Sequence, residues 1–538
     1  MKSSFLSLLI PSLAIVSISC SNKIENEKPN VIFILADDLG VGDLKCYDNP
    51  YLDTPVIDRL ASQGVRLTNC YAGSAICAAS RAGILTGRYN HRTGAIDVSS
   101  NRGIDRISLS EKTMGDYFRN AGYETGLVGK WHNGIYNNEY LPYNRGFDLF
   151  FGFPNGIQDY HNWNLMRNGV YEKHDGRYLT DVINQESINF IESNKQKPFF
   201  LFISHHAPHS PMQAPDSLIQ KYRAKNDGSY SDDVAKLYAM IEAMDTGLGW
   251  VLDKLEELDL SRKTIIVLTS DNGGFVEGNF NRFKAGLSGN KSNVLEEGIR
   301  VPGIVVWPGK IKAGITIDTP VTGIDWLPTL FSLTGGTAPE NAKPIDGENL
   351  IPVFLNEKND SQSERIICFQ LNRYTPVAHS DATIKLGNWK LYWPGVPVTM
   401  KKDMIRDNPS VQKGTTNEHW EMPIDYELPE YTEVVSLEPM LFNLEEDPYE
   451  KKDVSAENPE LVDSLTIIYN KWFESVFNDW KISFSEIIEN DKVYWKEREI
   501  PDADKLFSEF WEWNKIKEDP LKTDPKKVFR GYWDYTWK

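Results

Sequence analysis

Residues Val31 to Leu35 form an unbroken apolar run rich in β-branched side chains. A strand with no polar face must be buried on both sides, so it needs packed elements above and below it. Pro198 to Ile203 and Thr264 to Thr269 are runs of the same kind, and Tyr123 to Val128 reads as a fourth strand. Helical punctuation lies between them. Thr54 stands at a cap position, Pro55 in the first turn, Val56, Ile57 and Leu60 on one face, and Gly64 at the stop. A second helix is expected from the Ser108-x-x-Glu111 capping box to Gly122. Strands alternating with helices predict an α/β domain, with a mixed or parallel sheet sandwiched by helices, over residues 30–360.

The pattern changes near residue 360. Asp381 to Trp393 alternates around Gly387-Asn388, a hairpin turn signal. Glu438 to Leu444 is a further strand candidate, and a Leu- and Ile-rich helix is expected over Pro459 to Phe473. These predict a smaller antiparallel α+β subdomain over residues 361–480. Residues 481–538 are Trp-rich and charged and suggest no role, and the chain holds no internal repeat.

The start of the chain reads as an export signal over residues 1–20. Lys2 is followed by an apolar stretch, Phe5 to Val16, too short to span a bilayer as a mature helix. Ser17-Ile18-Ser19-Cys20 resembles a bacterial lipoprotein signal, with an ordinary cleaved signal as the alternative. Lipidation of Cys20 would leave residues 21–29 as a polar tether, give the protein its only link to a membrane, and place it in the periplasm or on the cell surface. Besides Cys20 there are Cys46, Cys70, Cys77 and Cys368. With Cys20 lipidated and Cys77 used in chemistry, the odd remainder excludes a full disulfide framework. A formal net charge of −18 argues against nucleic acid as the partner. The aromatic share of 12%, with 15 Trp, suits either a large core or the apolar faces of sugar rings.

Two acidic pairs follow expected strands directly: Asp37-Asp38 after the first and Asp271-Asn272 after Thr264–Thr269. In a parallel sheet both reach the carboxyl edge, where active sites of such folds collect. Three carboxylates and an amide oxygen suit a hard cation such as Ca²⁺ or Mg²⁺. Either pair alone would read as a solvated loop.

The central segment is Cys77-Ala78-Ala79-Ser80-Arg81-Ala82-Gly83-Ile84-Leu85-Thr86-Gly87-Arg88. It resembles the signature of the type I sulfatases, Cys-x-Pro/Ala-x-Arg followed by an apolar pair and Thr-Gly-Arg, with Ala79 where many members have Pro. Gly129-Lys130-Trp131-His132, His206-Ala207-Pro208-His209-Ser210-Pro211, Gly289-Asn290-Lys291 and Leu295 to Pro302 extend the resemblance in order, with Glu297 where Gly is usual. It spans roughly residues 29 to 475.

The resemblance implies an alkaline-phosphatase-like fold and hydrolysis of a sulfate ester. It implies that a maturation enzyme oxidises Cys77 to Cα-formylglycine, whose hydrate carries two hydroxyls on one carbon. One attacks sulfur and the other later expels sulfate, so one hard step becomes two easier ones. A helix from Ala78 onward would put residue 77 at an anion-favouring N-terminus. By the same resemblance Asp37, Asp38, Asp271, Asn272 and residue 77 hold one divalent ion, Ca²⁺ rather than Mg²⁺. Arg81 and Lys130 orient the diol and neutralise sulfate. His209 and Lys291 serve the leaving alkoxide, His132 takes the proton that triggers sulfate release, and Asp271 accepts the nucleophile's proton. His91, His205 and His206 read as structural. Substrate contacts are expected from loops 156–177 and 278–282, with His161 and Arg282 as the candidates, and the substrate as a sulfated glycan. The rivals are a phosphodiesterase or phosphonate hydrolase of the same superfamily, which the Lys130/His132 and His209/Lys291 pairs fit less well, and a non-catalytic glycan-binding surface lipoprotein.

Overall fold

The protein is described as a computed structural model over residues 28–98, 103–135, 137–275, 281–355, 365–372, 376–395 and 438–497. Cys20, the signal and tether up to residue 27, residues 278–280 and residues 498–538 lie outside the described residues. The strands are β1 Asn30–Ala36, β2 Val65–Leu67, β3 Cys70–Tyr71, β4 Glu124–Lys130, β5 Leu149–Phe153, β6 Asn164–Arg167, β7 Val170–Lys173, β8 Phe199–Ser204, β9 Thr264–Ser270, β10 Gly303–Val306, β11 Ile315–Ile317, β12 Val321–Thr322, β13 Ile366–Gln370, β14 Ala382–Leu386, β15 Trp389–Trp393 and β16 Met440–Asn443. The helices are α1 Pro55–Gln63, α2 Cys77–Thr86, α3 Asn90–Thr93, α4 Met114–Asn120, α5 Leu179–Asn194, α6 Asp216–Lys225, α7 Asp232–Glu257, α8 Glu296–Ile299, α9 Trp326–Phe331, α10 Ile351–Phe354 and α11 Pro459–Glu497.

Ten strands form one sheet in the order β11-β2-β10-β9-β1-β8-β4-β5-β6-β7. Its centre is parallel, as the apolar runs require, while β10 and β6 run antiparallel to it and make the sheet mixed. β1 sits between β8 and β9, and alternate residues face opposite layers. Ile32 and Ile34 pack under α1, α5 and α7. Val31, Phe33 and Leu35 pack against side chains of α2, α4 and α9. Each such side chain contributes about 1.5–3 kcal/mol by leaving water. Register then places the site. Leu35 pairs with Ser204, Ala36 with Ser270, and Gly129 with Ser204. The segments after β1, β4, β8 and β9 therefore emerge side by side.

The second sheet runs β13-β14-β15-β16 and is antiparallel, with Gly387 at φ 57° in the expected hairpin turn. One face, with Ile384, Leu391 and Leu441, packs on α11. The other, with Ile367, Phe369, Tyr392 and Phe442, packs against Cys77, Ala78, Ala79 and Val294. The smaller sheet is thus a wall of the region around Cys77.

Two expectations are corrected. The helix expected from Ser108 starts only at Met114, behind a capping box of Thr113 and Asp116. Glu111 is instead a buried anchor: its carboxylate takes Arg88 Nη1 at 2.7 Å and Lys343 Nζ at 2.8 Å. The helix expected to end at Phe473 continues to Glu497, because Phe477, Trp480, Phe484 and Ile487 extend its apolar stripe at spacings of three and four. The boundary expected at residue 480 falls inside it. Cys46, Cys70, Cys77 and Cys368 are all free thiols.

Candidate active site

Asp37 and Asp38 leave β1 where its pairing ends, and Asp38 adopts φ 66°. Asp271 and Asn272 do the same after β9. Asp271 Oδ1 accepts the Asp38 N–H at 3.2 Å, and Asn272 Nδ2 donates to Asp38 Oδ1 at 2.8 Å, so the two loops are tied together. Cys77 opens α2, with its Sγ 4.0 Å from Asp38 Oδ1. Asp37, Asp38, Asp271, Asn272 and Cys77 are all buried.

Cations answer these carboxylates. Arg81, one turn into α2, forks onto Asp271 Oδ2 from Nε at 2.9 Å and Nη2 at 2.8 Å, while Nη1 donates to Ser204 Oγ at 2.6 Å. Lys130, the last residue of β4, puts Nζ 2.6 Å from Asp37 Oδ2. Lys291 Nζ lies 2.6 Å from Asp38 Oδ1. His209 Nε2 is 3.7 Å from Asp38 Oδ2, and His206 Nδ1 is 3.2 Å from Asp37 Oδ2.

Burial and charge set the protonation states. Burial works against ionised Asp37, yet the Lys130 and Arg81 cations and a hydrogen bond with His206 hold its carboxyl well below the usual range. Asp38 is lowered likewise, against burial, chiefly by Lys291. Asp271 is pushed up to about 7 by burial and the neighbouring Asp37. Burial pushes the Cys77 thiol up to about 12, so the unmodified side chain is a neutral thiol and a poor nucleophile. Lys291 stays charged, held well above its ordinary value by Asp38 against burial. His132 is held well below its ordinary value by burial, Lys130 and Arg81, and burial lowers His209 to about 3. Both imidazoles are therefore neutral. His209 Nδ1 donates to the Ser210 carbonyl at 2.7 Å, leaving Nε2 as its basic nitrogen. Lys291, not His209, is the standing cation of that pair.

The donor set fits a divalent cation. Single ligand atoms of Asp37, Asp38, Cys77 and His209 lie within 4.8 Å of one another. Asp37 Oδ1 and Asn272 Oδ1 are buried acceptors without a hydrogen-bond partner, and a buried acceptor left so costs free energy unless something else meets it. Oxygen donors of this kind match hard cations.

Most residues named from sequence converge here, with differences. His132 does not continue the strand beyond Lys130, because it adopts φ 61°. His206, expected to be structural, touches Asp37 directly, whereas His205 and His91 are buried away from the acidic cluster, His91 Nε2 pairing with Gln370 at 2.8 Å. Arg282 is spent inside the protein, on an ion pair with Asp43 and on the carbonyls of Phe275 and Asp38 at 2.9 and 3.4 Å. His161 is exposed and packs on Tyr178. Its neighbour Tyr160 is the one bound to the site, donating to the His209 carbonyl at 2.9 Å and stacking on His206 at 4.9 Å. Sequence reasoning also missed Ser204 and Asn133, whose amide donates to the Ala78 carbonyl at 2.8 Å. No local pattern marks these three.

An α/β hydrolase that presents fixed cations and a candidate cation site to an oxyanion is the class this geometry defines. The sulfatase family profile matches residues 29–336, and that of the N-sulphoglucosamine sulphohydrolase C-terminal region matches 289–392. Arylsulfatase H of Canis lupus familiaris is 30% identical, covering 82% of this chain and 90% of its own length. The N-acetylgalactosamine-6-O-sulfatase of Bacteroides thetaiotaomicron is 29% identical, over 85% and 96% respectively. The crystal structure of Ps i-CgsB in complex with k-i-k-neocarrahexaose superposes with a TM-score of 0.70 at 27% identity, covering 89% of this chain and 99% of that one. The chain belongs to the sulfatase family and is a sulfuric ester hydrolase.

Proposed function

We propose that this protein removes sulfate from a sulfated carbohydrate, using Cys77 after its oxidation to Cα-formylglycine. The observation that carries this reading is the position of Cys77: it opens α2 among Asp38, Lys130, Lys291 and Arg81, yet its thiol is held neutral. A hydrated aldehyde at that carbon needs no thiolate. Its first hydroxyl gives its proton to Asp271 and forms the bond to sulfur while the bond from sulfur to the sugar oxygen breaks. The second hydroxyl then gives up its proton, the C=O bond re-forms, the bond from that carbon to the sulfate oxygen breaks and sulfate leaves. Water re-hydrates the aldehyde.

Arg81 and Lys130 are fixed cations beside residue 77 and suit the sulfate oxygens, since preorganised charge needs no rearrangement as the reaction proceeds. Lys291 is charged and supplies the leaving sugar oxygen with positive charge or a proton, with neutral His209 beside it. Neutral His132 is suited to take the diol proton. A divalent cation, Ca²⁺ by preference, held by Asp37, Asp38, Asp271, Asn272 and residue 77, would add charge stabilisation at the sulfate oxygens.

The carbohydrate assignment draws on two relatives. One is named as an N-acetylgalactosamine-6-O-sulfatase, and the other is solved in complex with k-i-k-neocarrahexaose. We further propose that the protein is exported and anchored through a lipid on Cys20. The chemistry is tested by peptide mass spectrometry across residue 77, where thiol-to-aldehyde conversion removes about 18 Da. Sulfate release is then compared on a sulfated oligosaccharide panel and on nitrophenyl sulfate. Full activity with an unmodified Cys77 overturns the mechanism, and activity on the aryl ester with none on any glycan overturns the substrate class. Recovery of the native protein without a lipid on Cys20 overturns the anchor alone.

A further inference from the structure

Lys291 stands on a loop, and a long lysine stem alone does not fix where its ammonium sits. Three successive elements hold the loop's backbone. Lys291 N–H donates to the Gly274 carbonyl at 2.9 Å, next to the β9 loop that carries Asp271. Ser292 N–H donates to the Ala75 carbonyl at 2.8 Å, two residues before Cys77, with Ser292 in the left-handed region at φ 67°. Val294 N–H donates to Asp381 Oδ1 at 3.2 Å. The same carboxylate oxygen takes the Asn293 amide at 3.1 Å, and that amide also donates to Tyr392 Oη at 3.2 Å on β15.

Asp381 is not part of the catalytic sheet. It precedes β14 in the small antiparallel sheet, is fully buried, and is pinned by its own carbonyl, which accepts the Leu371 N–H at 2.9 Å. Its second oxygen, Oδ2, has no hydrogen-bond partner. Burial accordingly pushes the carboxyl up to about 7. Oδ1 accepts a backbone N–H and a side-chain amide at once, so this one atom fixes two successive residues of the loop. We propose that Asp381 is a positioning residue for Lys291: the small sheet clamps the 291–294 loop through it, and so sets the placement of the leaving-group cation relative to Cys77. This inference rests on the assignment of Lys291 to the leaving group.

The test compares kcat/KM on a sugar sulfate, a poor leaving group, with kcat/KM on 4-nitrophenyl sulfate, a good one, for Asp381→Ala, Lys291→Ala and the double variant. Misplacing a reacting group by about an ångström costs on the order of 100-fold. Asp381→Ala is therefore expected to lose roughly 10- to 100-fold on the sugar sulfate and under about 3-fold on the aryl ester. In the double variant the loss on the sugar sulfate should not exceed that of Lys291→Ala alone. Asp381→Asn, which keeps an oxygen acceptor, should regain most of the activity. Equal losses of Asp381→Ala on both substrates, or losses that multiply in the double variant, overturn the proposal and leave Asp381 a packing residue. If Asp381→Ala does not fold, Asn293→Ala replaces it in the same cycle, since it removes the amide that Asp381 grips. If Lys291→Ala itself shows no leaving-group preference, the role given to Lys291 fails, and non-multiplying losses on the sugar sulfate still decide whether Asp381 acts through it.

Discussion

Replacing Lys390 by methionine should destabilise the protein by several kcal/mol at neutral pH and by much less at pH 5. The Lys390 ammonium is buried between Glu296 Oε1 at 2.9 Å and Glu450 Oε1 at 2.7 Å, all three groups being 1% exposed or less. It joins β15 of the small sheet to α8, just beyond the Lys291 loop. Burial opposes the charge on both carboxylates; Lys390 nevertheless holds Glu296 below its ordinary value, while Glu450 remains above. Methionine preserves the stem and removes the charge, leaving two buried carboxylates face to face. Breaking a buried pair this way costs roughly 3–5 kcal/mol.

The variant has one escape, which is to bind a proton, and Glu450 is the group already pushed that way. For a Glu of ordinary value 4.5, protonation at pH 7 costs about 3.4 kcal/mol, and at pH 5 about 0.7 kcal/mol. A carboxyl whose pKa is raised in the folded state contributes stability below its unfolded value, and that contribution is lost as pH rises through the folded one. The deficit relative to the parent should therefore shrink by about 2.7 kcal/mol between pH 7 and pH 5. Equilibrium urea denaturation of both proteins at both pH values measures it. A deficit of the same size at pH 5 and pH 7 would refute the reasoning.

Cys77→Ala should fold with an unchanged urea midpoint and lose all measurable turnover, so residual sulfate release near the parent rate would count against a covalent role. Arg81→Lys should lower kcat/KM by about 100- to 1,000-fold, because an ammonium cannot fork onto Asp271 and reach Ser204 together; a rate within a factor of a few of the parent argues against that geometry. Chelation should abolish activity and Ca²⁺ restore it, with Asn272→Ala raising the Ca²⁺ concentration needed by about 10- to 100-fold; metal-independent turnover contradicts the cation site. Gly94→Ala should cost about 1–3 kcal/mol, since Gly94 has φ 94° and an added Cβ would lie 2.5 Å from Ile487 Cδ1 of α11; an unaltered urea midpoint speaks against tight docking of that helix.

The acidic pairs were legible in the chain because their logic is local, and the Cys77 segment was legible as a resemblance. An apolar run that ends abruptly in Asp-Asp or Asp-Asn states both where the strand stops and what stands at its edge. Register then brings 37–38 and 271–272 together without further information, since β1 and β9 are parallel neighbours. The hairpin at Gly387 was readable for the same reason: turn chemistry lies within two residues. The Ser108 capping box misled, because Glu111 answers to Arg88 and Lys343, 23 and 232 residues away, and not to its own backbone.

What the sequence by itself determined is the α/β order, the acidic strand ends and the motif-bearing segments around Cys77, Lys130 and Lys291. Tertiary structure alone decided which of those groups are charged and which are spent. Arg282 looked like a substrate contact and is committed to Asp43, 239 residues distant. His209 was expected to protonate or stabilise the leaving alkoxide and is neutral, because burial outweighs its two aspartate neighbours. Asp381 carried no motif, yet it grips the loop of Lys291 from another sheet. Protonation and partner choice depend on desolvation and on charges within a few ångströms, and those neighbours are assembled by long-range packing that no local spacing encodes.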